Sequence, residues 1–308
     1  MKFGAQLVNY LCTWDDTLAT IHAVEGGSWN SLWWSDHFLV PAPGSGVEHR
    51  EAMEGWSLIT AAAAITRRVE LGLLVTGNTY RNPALLAKMA ATVDQISHGR
   101  YILGIGAAWF KGEHEAYGWD FPSMKERQDR LEEACKLIRE LIHADGPVTH
   151  EGEYYKLDNA LLAPGSFGDP IPIMVGGTGE KRTLRTLARY GDVFNLDGWA
   201  GGPMTAEYLN YKWSVVERHC ENTGRDPAEI RKTILIPALL SDDKAAVDAF
   251  MQGRRLGAGS AAGSKNYIID RVGEIIDAGV DEIMFGGILS DQPDEFVRFE
   301  EEVIAAFD

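Results

Sequence analysis

Eight times along this chain a short apolar run gives way to a longer segment with helical spacing. The runs are Phe3–Val8, Ser31–Ser35, Val69–Val75, Tyr101–Ile105, Ile173–Val175, Val193–Leu196, Thr233–Pro237 and Glu282–Phe285. Helical patterns lie near Asp15–Glu25, Gly55–Arg67, Pro83–Ser97, Ser123–His143, Glu180–Tyr190, Thr205–Thr223, Asp242–Leu256 and Pro293–Phe307, with another, Tyr267–Ala278, just before the last strand. Strands that alternate with helices pair in parallel, and eight such units predict a (β/α)8 TIM barrel. An open doubly wound sheet is the competing arrangement. The apolar runs are nearly continuous, as strands covered on both faces require. No linker or composition shift divides the chain, so residues 1–308 are expected to form one domain.

Local signals support individual elements. Asn82–Pro83 reads as an N-cap with proline at the first helical position. Leu131, Cys135, Ile138 and Ile142 recur three or four apart, a single buried stripe on a charged helix. Two stretches break the alternation. His150–Pro172 reads as an insertion between the fourth and fifth units. Gly257–Ser264, rich in Gly, Ala and Ser, reads as a flexible loop or a mobile lid.

The charge balance narrows the partners. With 29 Lys and Arg against 45 Asp and Glu, the net charge is −16. Nucleic acid and anionic membrane surfaces call for a basic face, so neither is expected. No apolar run approaches the roughly 20 residues that span a bilayer. The N-terminus does not read as a signal peptide, and three cysteines without metal or redox spacing suit a reducing compartment; a cytoplasmic location is expected.

Chemistry is expected where strands end, because barrel active sites sit at the carboxyl-terminal face. Val175 leads into Gly176-Gly177-Thr178-Gly179, a turn ahead of a helix. Exposed N–H groups and the helix dipole make such a turn an anion site, or the glycines serve only a tight geometry. Asp36 and His37 end the second strand, and a histidine there handles protons near neutral pH or ties down its loop. Of Trp33 and Trp34, one must face the helical layer. Leu74, Val75, Thr76 and Asn78 end the third strand. Gly106, Ala107 and Trp109 end the fourth, with small residues leaving room for a flat ligand and Trp109 forming one wall. Glu113, His114 and Glu115 follow, three titratable residues that form either part of a site or, as a charged loop usually does, a solvated segment.

Four stretches taken together resemble the luciferase-like monooxygenase superfamily, and most closely its branch using the deazaflavin coenzyme F420. They are WSDHF (34–38), LGLLVTGNTYRNPALLAKMAATVDQISHGR (71–100), LGIGAAWFKGEHEAYGWDFP (103–122) and IPIMVGGTGEKRTLRTLARYGDVFN (171–195). The resemblance implies a barrel with the insertion segments over its carboxyl-terminal mouth and a flavin or deazaflavin across its strand ends. It implies a phosphate on Gly176, Gly177 and Thr178, and a non-prolyl cis peptide at Leu74–Val75 against the ring. Asp36 and His37 match the family's Asp-His pair, and the matching histidine is catalytic in sugar-phosphate dehydrogenase relatives. Those relatives carry a glutamate where this chain has Trp109. Family members often pair, which implies a homodimer.

The expected activity is hydride transfer between F420 and a small organic substrate, with His37 handling a proton and Asp36 orienting it. The anionic cofactor tail asks for cations, and Lys111, Arg127 and Arg182 are the candidates. An FMN-dependent monooxygenase is the alternative within the class. A metal-dependent barrel hydrolase is a more distant one, although His37, His49, His98 and His114 have no recognisable ligand spacing and no metal is expected. A non-catalytic flavin carrier is a third.

Overall fold

The computed structural model describes residues 1–42, 46–254 and 259–307. Eight parallel strands form the core: β1 (Lys2–Leu7), β2 (Ser31–Trp34), β3 (Glu70–Leu73), β4 (Tyr101–Gly106), β5 (Ile173–Gly176), β6 (Val193–Asp197), β7 (Arg231–Leu240) and β8 (Glu282–Gly286). They run in the order β5-β6-β7-β8-β1-β2-β3-β4, and β4 pairs back onto β5 through Leu103↔Ile173 and Ile105↔Val175. The sheet is closed, which excludes the open doubly wound arrangement. This is a (β/α)8 TIM barrel.

Helices α1 (Trp14–Gly26), α2 (Gly55–Ile65), α3 (Pro83–Ser97), α4 (Met124–His143), α5 (Thr183–Tyr190), α6 (Ala206–Glu221), α7 (Lys265–Asp277) and α8 (Pro293–Glu302) surround it. Their ends follow the sequence signals. Asn82 caps α3 through Ala84 N with Pro83 in the first turn, and Ser123 caps α4 through Glu126 N. The expected stripe of α4, Leu131, Cys135, Ile138 and Ile142, is buried. Trp34 packs into this outer layer, whereas Trp33 lies inside the barrel with Ile102, Met174, Val193, Leu235 and Met284. No Cβ fits at Gly72, because it would lie 2.2 Å from the Trp33 ring.

The amino-terminal end of the barrel is tied by charge. Buried Glu282 accepts from Ser31 Oγ and, at 2.5 Å, from Arg231, which also bonds Glu70 at 2.7 Å. These residues open β8, β2, β7 and β3, so the network holds the closed end and lies away from the mouth.

Four local expectations are corrected. α5 begins at Thr183 rather than Glu180, because residues 180–182 form a turn that Lys212 and His219 of α6 hold. The insertion starts before His150: Val148–Glu151 and Lys156–Ala160 pair as an antiparallel hairpin. The segment 259–264 is not a free loop, since Ala261–Gly263 pairs in parallel with Ala238–Leu240. Gly257 and Ala258 of the expected lid lie outside the described residues. The helix expected over Asp242–Leu256 starts at Lys244 and is described to Arg254, and Arg255 and Leu256 lie outside the described residues. Among the described residues, no helix is long and apolar enough to cross a membrane.

Candidate active site

The carboxyl ends of β2, β3, β4 and β5 bring most of the expected residues to one opening. Their pairings differ from expectation.

His37 is held by Glu113, not by Asp36. Its Nδ1 lies 3.2 Å from Glu113 Oε1. The other carboxylate oxygen accepts from Phe38 N at 2.9 Å, and Tyr80 OH donates to Oε1. Burial pushes the Glu113 carboxyl up, but bonds from His37, Tyr80 and the Phe38 N–H outweigh it and hold the group below the usual glutamate range. Glu113 is therefore ionised at neutral pH and only accepts. That assigns the proton of a neutral His37 ring to Nδ1 and leaves Nε2 as the acceptor, with no protein partner among the described residues. The ring meets Trp109 edge-on at 5.5 Å and Phe110 at 5.7 Å, and Asn9 Nδ2 anchors the His37 carbonyl at 2.5 Å. Trp109, at the end of β4, is 54% exposed and stacks on Phe110.

The solvated reading of residues 113–115 is wrong for two of the three. Glu113 and His114 are fully buried on the short helix Lys111–Tyr117. His114 is satisfied on both sides, Nδ1 by Phe110 O at 2.8 Å and Nε2 by Thr79 Oγ1 at 2.7 Å, so it braces the loop.

Asp36 has a different task. It accepts from Arg81 at 2.8 Å and from Thr76 Oγ1 at 2.5 Å, and Arg81 also binds Glu54 at 2.5 Å. Burial raises the Asp36 carboxyl even though Arg81 and Thr76 pull it down. The cluster ties the ends of β2 and β3 to α2. Arg81 and Glu54 were not legible as partners, because they come together only when the loop after β3 folds back over α2.

Leu74–Val75 is a cis peptide bond, at the position the resemblance implied. Val75 projects into the barrel between β4 and β5. A Cβ at Gly106 or at Gly176 would lie 2.9 Å from its Cγ2. Both glycines make room for Val75, whereas Gly106 was expected to leave room for a flat ligand. Next along, Asn78 is buried and Nδ2 bonds Tyr155 OH of the insertion at 3.1 Å, while Oδ1 is buried with no partner.

The glycine turn follows β5. Gly177 has φ of 124°, a conformation that favours glycine, and Gly179 has Thr183 Oγ1 2.9 Å from where a Cβ would sit. Lys212 Nζ reaches Thr178 O at 3.2 Å and Glu180 at 2.6 Å, a cation beside the turn that α6 supplies from distant sequence. The three expected cations are already engaged. Arg127 stacks 3.8 Å from the Phe121 ring, Arg182 pairs with Asp129, and Lys111 pairs with Glu115 at 2.9 Å in an exposed bridge. No group of three or more His, Cys, Asp and Glu among the described residues is arranged to hold a metal.

A closed parallel barrel that carries a histidine paired with a buried glutamate, a cis-peptide bulge and a glycine turn at its strand ends has the architecture of a barrel oxidoreductase. Residues 2–271 match the family described as luciferase-like monooxygenase, and the chain belongs to that family. It is 30% identical over 275 residues to an F420-dependent glucose-6-phosphate dehydrogenase of Amycolatopsis mediterranei, covering 87% of this chain and 78% of the relative. It is 31% identical over 195 residues to an FMNH(2)-dependent dimethylsulfone monooxygenase of Pseudomonas fluorescens, covering 60% of this chain and 52% of that protein. Among solved structures, an F420-dependent secondary alcohol dehydrogenase in complex with an F420-acetone adduct superposes with a TM-score of 0.84 over 100% of this chain and 99% of the other, at 22% identity; this likeness bears on the fold. The chain is an enzyme of the oxidoreductase and monooxygenase type these relatives represent.

Proposed function

We propose that this chain is a coenzyme F420-dependent oxidoreductase that moves a hydride between the deazaflavin and a small organic substrate. The observation that carries the reading is His37, with Nδ1 tied to an ionised, buried Glu113 and Nε2 open at the mouth beside the Leu74–Val75 bulge. The relative from Amycolatopsis, similar along most of the chain, supports the choice of cofactor.

The residues fit such a group. Asn78 Oδ1 is a buried acceptor lacking a donor, which a bound ring's N–H would satisfy. Leu74, Val75, Thr76, Asn78, Gly106, Ala107 and Trp109 would hold the ring. Val175, Gly176, Gly177, Thr178 and Gly179 would hold the tail phosphate through backbone N–H groups, with Lys212 adding positive charge nearby. Thr76 contributes backbone only, since its hydroxyl is committed to Asp36.

The cofactor supplies the two-electron hydride chemistry. The protein supplies the proton. With Nδ1–H donated to Glu113, Nε2 takes a hydroxyl proton in the oxidising direction and returns it in the reducing direction. Glu113 stabilises the ring when it is positively charged. Asp36 is not part of this relay; it fixes the strand ends on which His37 and Thr76 stand.

His37→Ala tests the assignment through turnover and cofactor affinity measured side by side. Turnover falls by roughly 10²–10⁴-fold with affinity unchanged if His37 is the proton-transfer group. Full activity with unchanged affinity removes it from the mechanism. An FMN-dependent monooxygenase is the second reading, supported by the relative from Pseudomonas fluorescens.

A further inference from the structure

Asp197 closes β6 at the barrel mouth, and neither His37 nor the Asp36 cluster uses it. Side chains alternate along a strand, so Asp197 points the way Asn195 and Val193 point. Those two face the interior. Val193 packs with Trp33 and Met284, and Asn195 Nδ2 bonds Thr233 Oγ1 at 3.0 Å and lies 3.7 Å from Met284 Sδ. Asp197 therefore occupies the next tier up, on the inward side at the open end. Its Oδ1 accepts from Trp199 N at 2.8 Å, and Oδ2 has no hydrogen-bond partner among the described residues.

In the strand order β6 lies four strands from β2, so Asp197 and His37 stand on opposite walls of one opening. The other inward positions at the strand ends, Gln6, Ser35, Gly106, Gly176, Pro237 and Gly286, carry no charge. The nearby cations are committed elsewhere, Arg81 to Asp36 and Glu54 and Lys212 to Glu180.

We propose that Asp197 determines specificity, its carboxylate admitting substrates that are uncharged where they meet β6 and turning away carboxylates and phosphate esters. This rests on the reading of the mouth as the active site. A like charge brought close in a water-poor site weakens binding by roughly tenfold or more. Burial lifts the Asp197 carboxyl to about 6, with the Trp199 N–H pulling it down. Asp197 pairs with Leu235 of β7 and leads into the turn Gly198–Ala200, whose Gly198 lies against Pro237, Leu235 and the Gly259 carbonyl. Among the described residues they bring no titratable side chain to it. The exclusion is thus strongest above pH 6 and fades below it.

Benzamide and benzoate share a shape and differ by one charge. Their binding to the cofactor-loaded protein can be followed by tryptophan fluorescence, since Trp199 adjoins Asp197. At pH 8 the wild type binds benzoate roughly tenfold or more weakly than benzamide, and the gap narrows as the pH falls through 6. In Asp197→Asn, and in Asp197→Ser as a second variant, the gap at pH 8 closes and the pH step disappears. An unchanged preference in both variants overturns the proposal. So does equal binding of the two probes by the wild type at pH 8, or binding of neither. Deazaflavin binding is scored separately by its own absorbance. A protein that rejects the deazaflavin yet still discriminates between the probes overturns the cofactor reading and supports the role of Asp197.

Discussion

Glu113 Oε1 lies 3.2 Å from His37 Nδ1, and this contact, rather than the neighbouring Asp36, sets which nitrogen of His37 faces the mouth. The distinction matters because the adjacent Asp-His pair in sequence invites the opposite assignment. Neighbouring residues at a strand end point apart, so Asp36 turns toward Thr76 and Arg81 while His37 turns toward the loop after β4.

Glu113→Gln keeps the shape but removes the charge. Turnover falls by roughly 10–100-fold while cofactor affinity stays within about twofold, as for other groups that orient a reactive histidine. Steady-state kinetics alongside a cofactor titration checks both numbers. Turnover equal to the wild type would leave Glu113 with a purely structural role.

Asp36→Ala leaves Arg81 and Thr76 facing a buried gap with no acceptor. Unfolding free energy drops by about 3–5 kcal/mol, the cost of breaking one partner out of a buried pair. Denaturant melts measure it, and Asp36→Asn should recover part of the loss through its amide oxygen. A drop below about 1 kcal/mol would mean the cluster is not what ties β2, β3 and α2 together.

Gly176→Ala places a methyl 2.9 Å from Val75 Cγ2 and 3.0 Å from Cγ1. Overpacking of this kind costs about 1–3 kcal/mol, and it displaces the side chain beside the ring-holding residues. Weakened cofactor binding together with a lower Tm is the expected result. The double variant Gly176→Ala with Val75→Ala should regain stability, because the clash partner is gone.

Acid should loosen the closed end of the barrel. Burial pushes the Glu70 carboxyl up, but Arg231 and Lys2 outweigh it and hold the group below the ordinary glutamate value. Its folded value is thus depressed. The stability it adds is present above the ordinary carboxylate range and is lost as pH falls through the folded value. Thermal melts across that range should show a shallower acid dependence in Glu70→Gln than in the wild type.

The sequence carried the fold further than the site. All eight strands lie within a few residues of their apolar runs, because both faces of a barrel strand are buried and the run is continuous. Helix ends marked by Asn82–Pro83 and Ser123 were legible because a cap is local chemistry. Glu113 stood out only as one of three titratable loop residues, and its pairing with His37 was not legible. Its charge reads as solvent-exposed until the loop folds and three donors, His37, Tyr80 and Phe38 N, converge on it from separate segments. Lys212 was missed for the same reason, since it reaches the glycine turn from the next helix. Gly106 was read as leaving room for a flat ligand and Gly176 as part of an anion-binding turn. Small residues are needed there, yet the atoms they make room for belong to Val75.

The most direct test of the central claim is titration of the purified protein with F420 and with FMN, followed by absorbance and fluorescence. Tight, saturable binding of the deazaflavin is expected, weakened in Gly176→Ala and preserved in His37→Ala. Tight binding of FMN with none of the deazaflavin would contradict it.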